Sequence, residues 1–167
     1  KIASIYTTKL SRDEELLEWW STLSLEWETL LREKFDITED SVQLDMLYKI
    51  SALDTLDLSG NKLLVDIAPI HVFRDLKYVD ISRTQIKELS PIKLTYLNIS
   101  GTKVTNIDEL TSLKNLKTFK AAKTPLMGFG VLDNFKNIET LDLEESGFNN
   151  IENLKNLSQL KVLNIKG

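Results

Sequence analysis

A motif of apolar residues with the spacing Leu-x-x-Leu-x-Leu recurs six times in the last two-thirds of the chain. Its alternation with period two predicts a short strand, and the apolar residues spaced by three that follow predict 3₁₀ or extended turns. One such unit cannot bury its own apolar side chains, so neighbouring units must stack. The pattern predicts an α/β repeat solenoid with one parallel sheet of about six strands. The motifs begin at Leu53, Leu76, Leu94, Leu116, Ile138 and Leu160.

The spacings between successive motifs are 23, 18, 22, 22 and 22 residues, so two units depart from the common length. The first unit has one extra residue between Leu63 and Ile67. The second unit, whose apolar positions continue through Leu89 and Ile92, is four residues short, and we expect a locally tighter coil there. The ninth position of each unit is a short polar residue, predicted to form a structural ladder that satisfies buried carbonyl groups at the corner after the strand. This corner ladder consists of Asn61, Thr84, Thr102, Thr124 and Ser146.

The first fifty residues instead show a helical period. Apolar residues at steps of four and three predict helix over 11–35, with a capping box from Ser11 to Glu14. Ser24 is able to cap a separate second helix, and the pattern leaves open whether the first helix is continuous or broken near 21–24. A further helix is predicted over 39–50. Trp19 lies off the main apolar stripe and is the candidate for a surface anchor. We therefore assign 1–52 to an N-terminal helical cap and 53–167 to the repeats, packed as one continuous domain.

The repeats resemble the 22-residue class of leucine-rich repeats, as found in bacterial internalin-like proteins and in the phosphatase-regulator type. The resemblance covers 53–167 and departs from the family in having Thr at corner positions where Asn is usual. It implies a right-handed solenoid with a concave parallel sheet and a bacterial source. The segment from Trp19 to Trp27 is similar to caps in leucine-rich-repeat proteins of gut-type Bacteroidetes.

Side chains at positions 3, 5 and 7 of each unit alternate with the buried leucines and are predicted to point to the concave face. Tyrosine offers apolar area and a hydroxyl group and is enriched at protein interfaces. The leading hypothesis is a non-enzymatic module that binds an unknown protein or peptide on this face. The alternative for each residue is that Tyr, Thr and Asp merely suit exposed strands. The candidate protein-binding residues are Tyr78, Tyr96, Asp57, Asp80, Asn98, Lys120, Asp142 and Glu144.

Composition argues against most other classes of function. The net charge is −4, with −5 in residues 1–50 and +1 in the rest, which does not suit a nucleic-acid-binding surface. The chain has no cysteine and a single histidine, His71, so we expect no catalytic residue, no metal and no cofactor. No apolar run is long enough for a transmembrane segment. The compartment stays open between the bacterial cytoplasm and, if a signal peptide preceded Lys1, export to the cell surface.

The sixth motif leaves a strand edge open between Leu160 and Gly167. An open edge invites pairing with another chain, unless the sequence was cut from a longer protein, which we prefer. The alternative functions are therefore a structural spacer, a scaffold that self-associates through this edge, or an accessory domain of a larger protein, for example one at the cell surface.

Overall fold

The repeat region forms one parallel sheet of short strands in chain order. The computed structural model describes residues 9–90 and 93–167, and within them the sheet has six strands that pair position for position. The predicted α/β solenoid of leucine-rich repeats is thereby confirmed. The strands are β1 (Thr55–Asp57), β2 (Tyr78–Asp80), β3 (Tyr96–Asn98), β4 (Thr118–Lys120), β5 (Thr140–Asp142) and β6 (Val162–Asn164).

We call the segment that leads from the corner of one unit to the strand of the next the return path. In four units it contains a short 3₁₀ helix, as the apolar spacing of three predicts. Each 3₁₀ helix buries at least one of its apolar side chains. The shortened second unit has no 3₁₀ helix in residues 81–90, and its predicted apolar residue Ile92 lies outside the described residues. The 3₁₀ helices are Ala68–Val72, Asp108–Ser112, Gly130–Asn134 and Ile151–Leu154.

The extra residue of the first unit lies earlier than the sequence predicts. Leu63 is 71% exposed, and Leu64 takes the buried position instead. From Leu64 the buried residues Ile67, Ile70 and Phe73 follow at steps of three. The insertion is therefore absorbed in the corner, and the turns after it keep the regular period because each of them must place one apolar side chain in the core.

A second regularity, at position 8, is not visible in the residue types. Gly60 and Gly101 have φ of +75° and +66°, and the residues at the same position in the other three corners also have positive φ. Those residues, Arg83, Lys123 and Glu145, adopt the left-handed conformation at a cost of about 1–2 kcal/mol each relative to glycine. The corner holds them there because the backbone N–H of each position-8 residue donates to a carbonyl of the next unit.

Hydroxyl groups at position 9 complete four of the corners. The Thr84 hydroxyl donates to the Ile81 carbonyl at 2.8 Å, and Thr102 and Ser146 make the same bond within their own units at 2.7 Å. Thr124 differs, because its hydroxyl donates to the carbonyl of Ile99 in the preceding unit at 2.9 Å. In the first corner, the side-chain oxygen of Asn61 accepts from the backbone N–H of Leu63 at 3.0 Å.

The last strand differs from the others in exposure. Leu163 of β6 and Ile165, which follows the strand, are each 39% exposed. The residues at the same positions on β1–β5 are at most 3% exposed, because the following coil covers them.

The N-terminal region, Lys1–Ser51, is a separate compact unit of three helices in its described residues. The helices are α1 (Arg12–Ser21), α2 (Leu25–Lys34) and α3 (Leu44–Ser51). The predicted capping box is confirmed: the Ser11 hydroxyl accepts from the Glu14 N–H, and the Glu14 carboxylate accepts from the Ser11 N–H at 2.8 Å. These two bonds hold the pKa of Glu14 below its usual value.

The helix predicted over 11–35 is broken, and Ser24 caps its second half by accepting from the N–H of Trp27. The break changes which side chains face inward. Trp19, predicted to be a surface anchor, is only 4% exposed, whereas Trp20 is half-buried beneath the guanidinium of Arg32 at 5.7 Å. The prediction for Trp19 was wrong because the apolar stripe on which it rests keeps one helical phase through residues 21–24, where the helix is in fact broken.

The third helix begins at Leu44 and not at Glu39 as predicted. Backbone carbonyls of Glu39 and Asp40 accept hydrogen bonds from the Arg32 guanidinium at 2.8 and 3.1 Å. The Arg32 side chain of α2 therefore holds residues 39–40 in a bend. Their carbonyls are directed to Arg32 and not along a helix axis.

We expect Thr84→Val to destabilise the repeats by about 1–3 kcal/mol, because valine keeps the shape but leaves the buried Ile81 carbonyl without its hydroxyl donor. Chemical denaturation measures the difference. The matched control is Thr105→Val at an exposed position, which should change stability by less than about 0.5 kcal/mol. Equal effects of the two substitutions would show that the corner hydroxyl is dispensable.

Replacing Lys123 by glycine should stabilise the repeats, by up to about 1 kcal/mol, because glycine relieves the strain at φ +55°. The lost ion pair with Glu145, at 3.8 Å between exposed groups, contributes little. Lys103→Gly is the control, since Lys103 has no positive φ, and it should destabilise instead. A loss of stability in Lys123→Gly as large as that in Lys103→Gly would contradict the strain argument.

Candidate functional site

The exposed surface of the sheet is formed by alternate side chains of each strand. Strands β1–β5 bury their middle residue and leave the two flanking residues exposed or half-buried. We call the surface formed by the side chains at positions 3, 5 and 7 the open face. All eight candidate residues lie at its positions: Tyr78 and Tyr96 at position 3, Asp57, Asp80, Asn98, Lys120 and Asp142 at position 5, and Glu144 at position 7.

Most of the position-5 side chains have a structural role that the sequence pattern did not predict. In five of the six units, the side-chain oxygen at position 5 accepts from the backbone N–H two residues later, at 2.9–3.3 Å. These Asx turns end each strand and lead the chain into the corner. A row of Asp and Asn at the strand end was the available signal. The acceptors belong to Asp57, Asp80, Asn98, Asp142 and Asn164.

Lys120 occupies position 5 of β4 and cannot accept such a bond. There the backbone N–H of Ala122 donates to the hydroxyl of Ser100, which follows β3 in the preceding unit, at 3.1 Å. Because Ser100 supplies the acceptor, the lysine side chain is released from the turn. Its ammonium group lies 5.8 Å from the centroid of the Tyr96 ring, in cation–π range. Lys120 is thus the one position-5 residue whose side chain acts on the open face alone.

The two tyrosines form a stacked pair. Tyr78 and Tyr96 are partners in the β2–β3 register, and their ring centroids are 3.9 Å apart with an angle of 11° between the planes. Both rings are half-buried. The stack stands beside a second cross-strand contact, in which the Asn98 amide donates to the second carboxylate oxygen of Asp80 at 2.9 Å. Both oxygens of Asp80 therefore accept hydrogen bonds.

The hydroxyl group of Tyr96 is electrostatically constrained. Burial raises its pKa well above the ordinary value, and the neighbouring Tyr78 hydroxyl and the Asp80 carboxylate raise it further. Only the hydrogen bond with Asn98 acts in the opposite direction. The phenol is therefore held in its neutral form, as a group that can donate a hydrogen bond.

The candidate residues at position 5 form one continuous row across β1–β5, and its first four members lie next to the tyrosine stack. Register places Asp57, Asp80, Asn98 and Lys120 side by side across β1–β4, next to the tyrosine stack. Asp142 lies beyond Lys120 on β5, and Glu144 accepts from the Asn164 amide at 2.9 Å towards β6. The tyrosine stack therefore lies at the β2–β3 part of this row.

The lysines of the fourth unit do not form a common basic strip. Lys117 pairs with Glu139 at 3.3 Å, and Lys123 pairs with Glu145 at 3.8 Å, while Lys120 lies over Tyr96. Two lysines, Lys117 and Lys161, hold the pKa of Glu139 below its usual value, with Lys161 contributing the larger part. The positive charges of this region are thus largely met by neighbouring carboxylates.

A cleft away from the sheet was not anticipated from the sequence. It has a volume of about 560 Å³ and is lined by residues of the second and third units, including Lys87, Lys103, Glu88 and Glu109. Its charges are mixed. In the residues that the structure describes, no three His, Asp or Glu side chains gather as a metal site would require, and no helix is both long and apolar enough to cross a membrane.

The raised pKa of Tyr96 predicts a loss of stability at alkaline pH. The folded state favours the protonated phenol, so its contribution is intact below the unfolded pKa of about 10 and is lost as the pH rises above it. Tyrosinate absorbance, followed against pH, should show one tyrosine that ionises late.

The variant Tyr78→Phe keeps the stacked ring but removes the neighbouring hydroxyl, and we expect it to lower the pKa of Tyr96 without restoring the ordinary value. The control Tyr48→Phe should leave the late transition in place, because Tyr48 is exposed and bonds to Asp13. An unchanged Tyr96 transition in Tyr78→Phe would show that the Tyr78 hydroxyl does not contribute, and would leave burial and the Asp80 carboxylate as the causes.

Comparison with known proteins supports the fold and does not assign a family. No family model matches the sequence, and no curated protein matches it. Among solved structures, an internalin (inlF) from Listeria monocytogenes is similar over 88% of this chain, with a TM-score of 0.73 and 21% identity. A second internalin of that organism (inlC2) is similar over 72% of this chain, with a TM-score of 0.62 and 23% identity.

This chain spans only 44% of the first internalin chain and 55% of the second. At such identities the likeness concerns the fold and not the ligands of those proteins. The chain has the leucine-rich-repeat fold seen in internalins.

Proposed function

We propose that this protein is a non-enzymatic interaction module that binds a protein or peptide on the open face, around Tyr78 and Tyr96. The observation that carries the proposal is the tyrosine stack. Two large aromatic rings are held nearly parallel at 3.9 Å on the open face, and both residues are only half-buried. Aromatic side chains of this kind supply most of the binding energy at many protein interfaces.

The stack suits binding because it is already ordered. Each ring restrains the other, and Lys120 and the Asp80–Asn98 contact border the pair. A partner therefore does not have to immobilise these side chains, and the entropy that binding usually costs for each ordered side chain is reduced. Tyr96 adds a neutral phenol able to donate a hydrogen bond, which a backbone carbonyl of a peptide can accept.

The Asx turns limit what the carboxylates at position 5 can contribute to binding. The carboxylates of Asp57, Asp80 and Asp142 each use one oxygen for the local turn, so they offer charge more than free hydrogen-bond capacity. We accordingly propose that the tyrosines supply most of the affinity. The position-5 row would then select partners by their charge.

A selection of random linear peptides displayed on phage, followed by affinity measurement on protein variants, tests the proposal. Peptides enriched on the wild-type protein should bind the double variant Tyr78→Ser/Tyr96→Ser at least tenfold more weakly, as expected for the loss of two interface anchors of about 1 kcal/mol or more each. The free energy of unfolding of this double variant should be only about 1 kcal/mol lower than that of the wild type, because only the stacking contact is lost.

The matched control is Met127→Ser/Ile151→Ser, which removes two exposed apolar side chains away from the open face. It should leave the affinity unchanged. If the selected peptides bind the tyrosine double variant as tightly as the wild type, the open face is not the binding site.

The alternatives drawn from the sequence, a spacer, a self-associating scaffold or an accessory domain, stay predictions. Self-association would rest on the exposed side chains of Leu163 in β6 and of Ile165, which follows it.

A further inference from the structure

The edge of the solenoid at which the chain enters each strand carries a concentrated positive charge. We call the surface formed by residues 93–95, 114–117, 136–139 and 158–161 the entry edge. It contains five lysines and one glutamate, a net charge of +4 in a protein whose total is −4. The lysines are Lys93, Lys114, Lys117, Lys136 and Lys161.

Backbone hydrogen bonds hold the entry edge in one line across the units. The carbonyl of Thr95 accepts from the N–H of Lys117 at 2.8 Å, and the carbonyl of Lys117 accepts from the N–H of Glu139 at 2.8 Å. The carbonyl of Glu139 accepts in turn from the N–H of Lys161 at 2.9 Å. Because these bonds continue the strand pairing, neighbouring units present their charges at the strand spacing of about 4.8 Å.

A single carboxylate faces these lysines. Glu139 pairs with Lys117 at 3.3 Å and with Lys161 at 2.6 Å, so two ammonium groups share one negative charge. Within the part of the chain that the structure describes, neither Lys93 nor Lys114 forms an ion pair. The uncompensated positive charge of the entry edge therefore lies around Lys93 and Lys114.

Two adjoining clefts open on the entry edge. The first has a volume of about 250 Å³, and the residues that line it include Lys93, Lys114 and Asn115. The second has a volume of about 350 Å³, and its lining includes Asn115, Asn137 and Gln159. Since Asn115 lines both clefts, we call them together the entry groove. Among the described residues, none that lines the entry groove belongs to the open face.

Side-chain amide groups of the entry groove are available for hydrogen bonds. The Asn137 amide donates to the Lys114 carbonyl at 2.7 Å, which fixes it between two units. The side-chain amides of Asn115 and Gln159 form no hydrogen bond with another described residue. Each of them can both donate and accept, as a peptide main chain also does. The entry groove thus combines ammonium groups with amides that match a peptide backbone.

We propose that the entry groove binds an acidic segment of a partner protein in an extended conformation. A carboxylate of the segment pairs with Lys93 and Lys114, and its main chain bonds to the amide groups of Asn115 and Gln159. Successive side chains of an extended chain point to opposite sides, so acidic residues reach the lysines while other residues face Glu139. The entry groove is a second surface, separate from the open face.

A nucleic acid fits the entry groove less well than an acidic peptide. Its phosphates follow one another along the whole backbone, so some of them would meet the Glu139 carboxylate. Binding of single strands also relies on aromatic side chains on which bases stack, and no described residue that lines the groove is aromatic.

Titration of the isotope-labelled protein with a blocked Gly-Glu-Gly-Glu-Gly peptide, followed by NMR at low salt, tests the proposal. The side-chain amide signals of Asn115 and Gln159 should shift together and saturate. The peptide with glutamine in place of both glutamates should bind at least about fivefold more weakly, because it lacks the charge. Tighter binding of a thymidine oligonucleotide than of the acidic peptide in the groove would overturn the proposal in favour of nucleic acid.

A pair of double variants tests the location of the site. Lys93→Gln/Lys114→Gln should weaken the acidic peptide at least about threefold, a moderate loss because exposed ion pairs are weak. The matched control, Lys87→Gln/Lys103→Gln, removes the same charge from the mixed-charge cleft of the second and third units and should leave the affinity nearly unchanged. Equal losses in the two double variants would show that only net charge matters and would overturn the assignment to the entry groove.

A gain of affinity provides an independent test. Glu139→Gln removes the only carboxylate of the entry edge and frees Lys117 and Lys161, so it should tighten binding of the acidic peptide at least about twofold. Glu152→Gln is the matched control, because it likewise frees one lysine, Lys155, but away from the entry edge. Unchanged or weaker binding by Glu139→Gln would contradict the proposal.

The outcome is separable from that of the function proposed for the open face. The double variant Tyr78→Ser/Tyr96→Ser should bind the acidic peptide as tightly as the wild type, because neither tyrosine lines the entry groove. If this variant loses the acidic peptide while Lys93→Gln/Lys114→Gln keeps it, the peptide binds the open face and the assignment to the entry groove is wrong.

Discussion

Each coil of the solenoid buries its apolar side chains only because the next coil bonds to it in register. Strand pairing joins the same position of successive units throughout β1–β6, so the buried side chain in the middle of each strand lies beside its counterpart in the next unit. Leu163 and Ile165, in the last unit, have no following coil and are partly exposed. Their counterparts in the first five units are almost fully buried, so the burial comes from the contact with the next coil. Since all units share one register, a local irregularity has to be absorbed where no pairing is required. The extra residue of the first unit accordingly lies in the corner, and the shortening of the second lies in the return path.

The corners are the second requirement of this arrangement, and they explain much of the polar pattern. A chain that turns sharply after three strand residues leaves carbonyl groups inside, and hydroxyl groups at position 9 bond to them. The preceding residue must take a left-handed conformation, which Arg83, Lys123 and Glu145 adopt despite its cost. Asp and Asn at position 5 direct the chain into the turn. Polar residues that face solvent on the sheet are therefore partly structural, and their exposure alone does not identify a binding surface.

The tyrosine stack differs from these features because no requirement of the coil explains it. Threonine and valine occupy the same position in the other strands, so the backbone tolerates small residues there. Register brings Tyr78 and Tyr96 together, and the replacement of an Asx acceptor by Lys120 places a cation beside them. Ser100 compensates for that replacement, which makes the lysine compatible with the fold. The surface that we propose for binding is thus formed at the positions where the repeat is free to vary.

The sequence by itself determined the solenoid, its strand positions and the capped first helix, because period two, period three and a capping box each depend on local spacing. It also placed the two tyrosines on adjacent strands. Only the tertiary structure decided that Trp19 is buried, that α3 begins at Leu44 and that Leu64 replaces Leu63 in the core. In each of those cases, a contact between distant residues, a change of helical phase or a corner outside the repeat pattern sets the outcome. The stacking of the rings and the turn bonds of the aspartates belong to the same group, since they depend on side-chain orientation, which residue spacing does not specify.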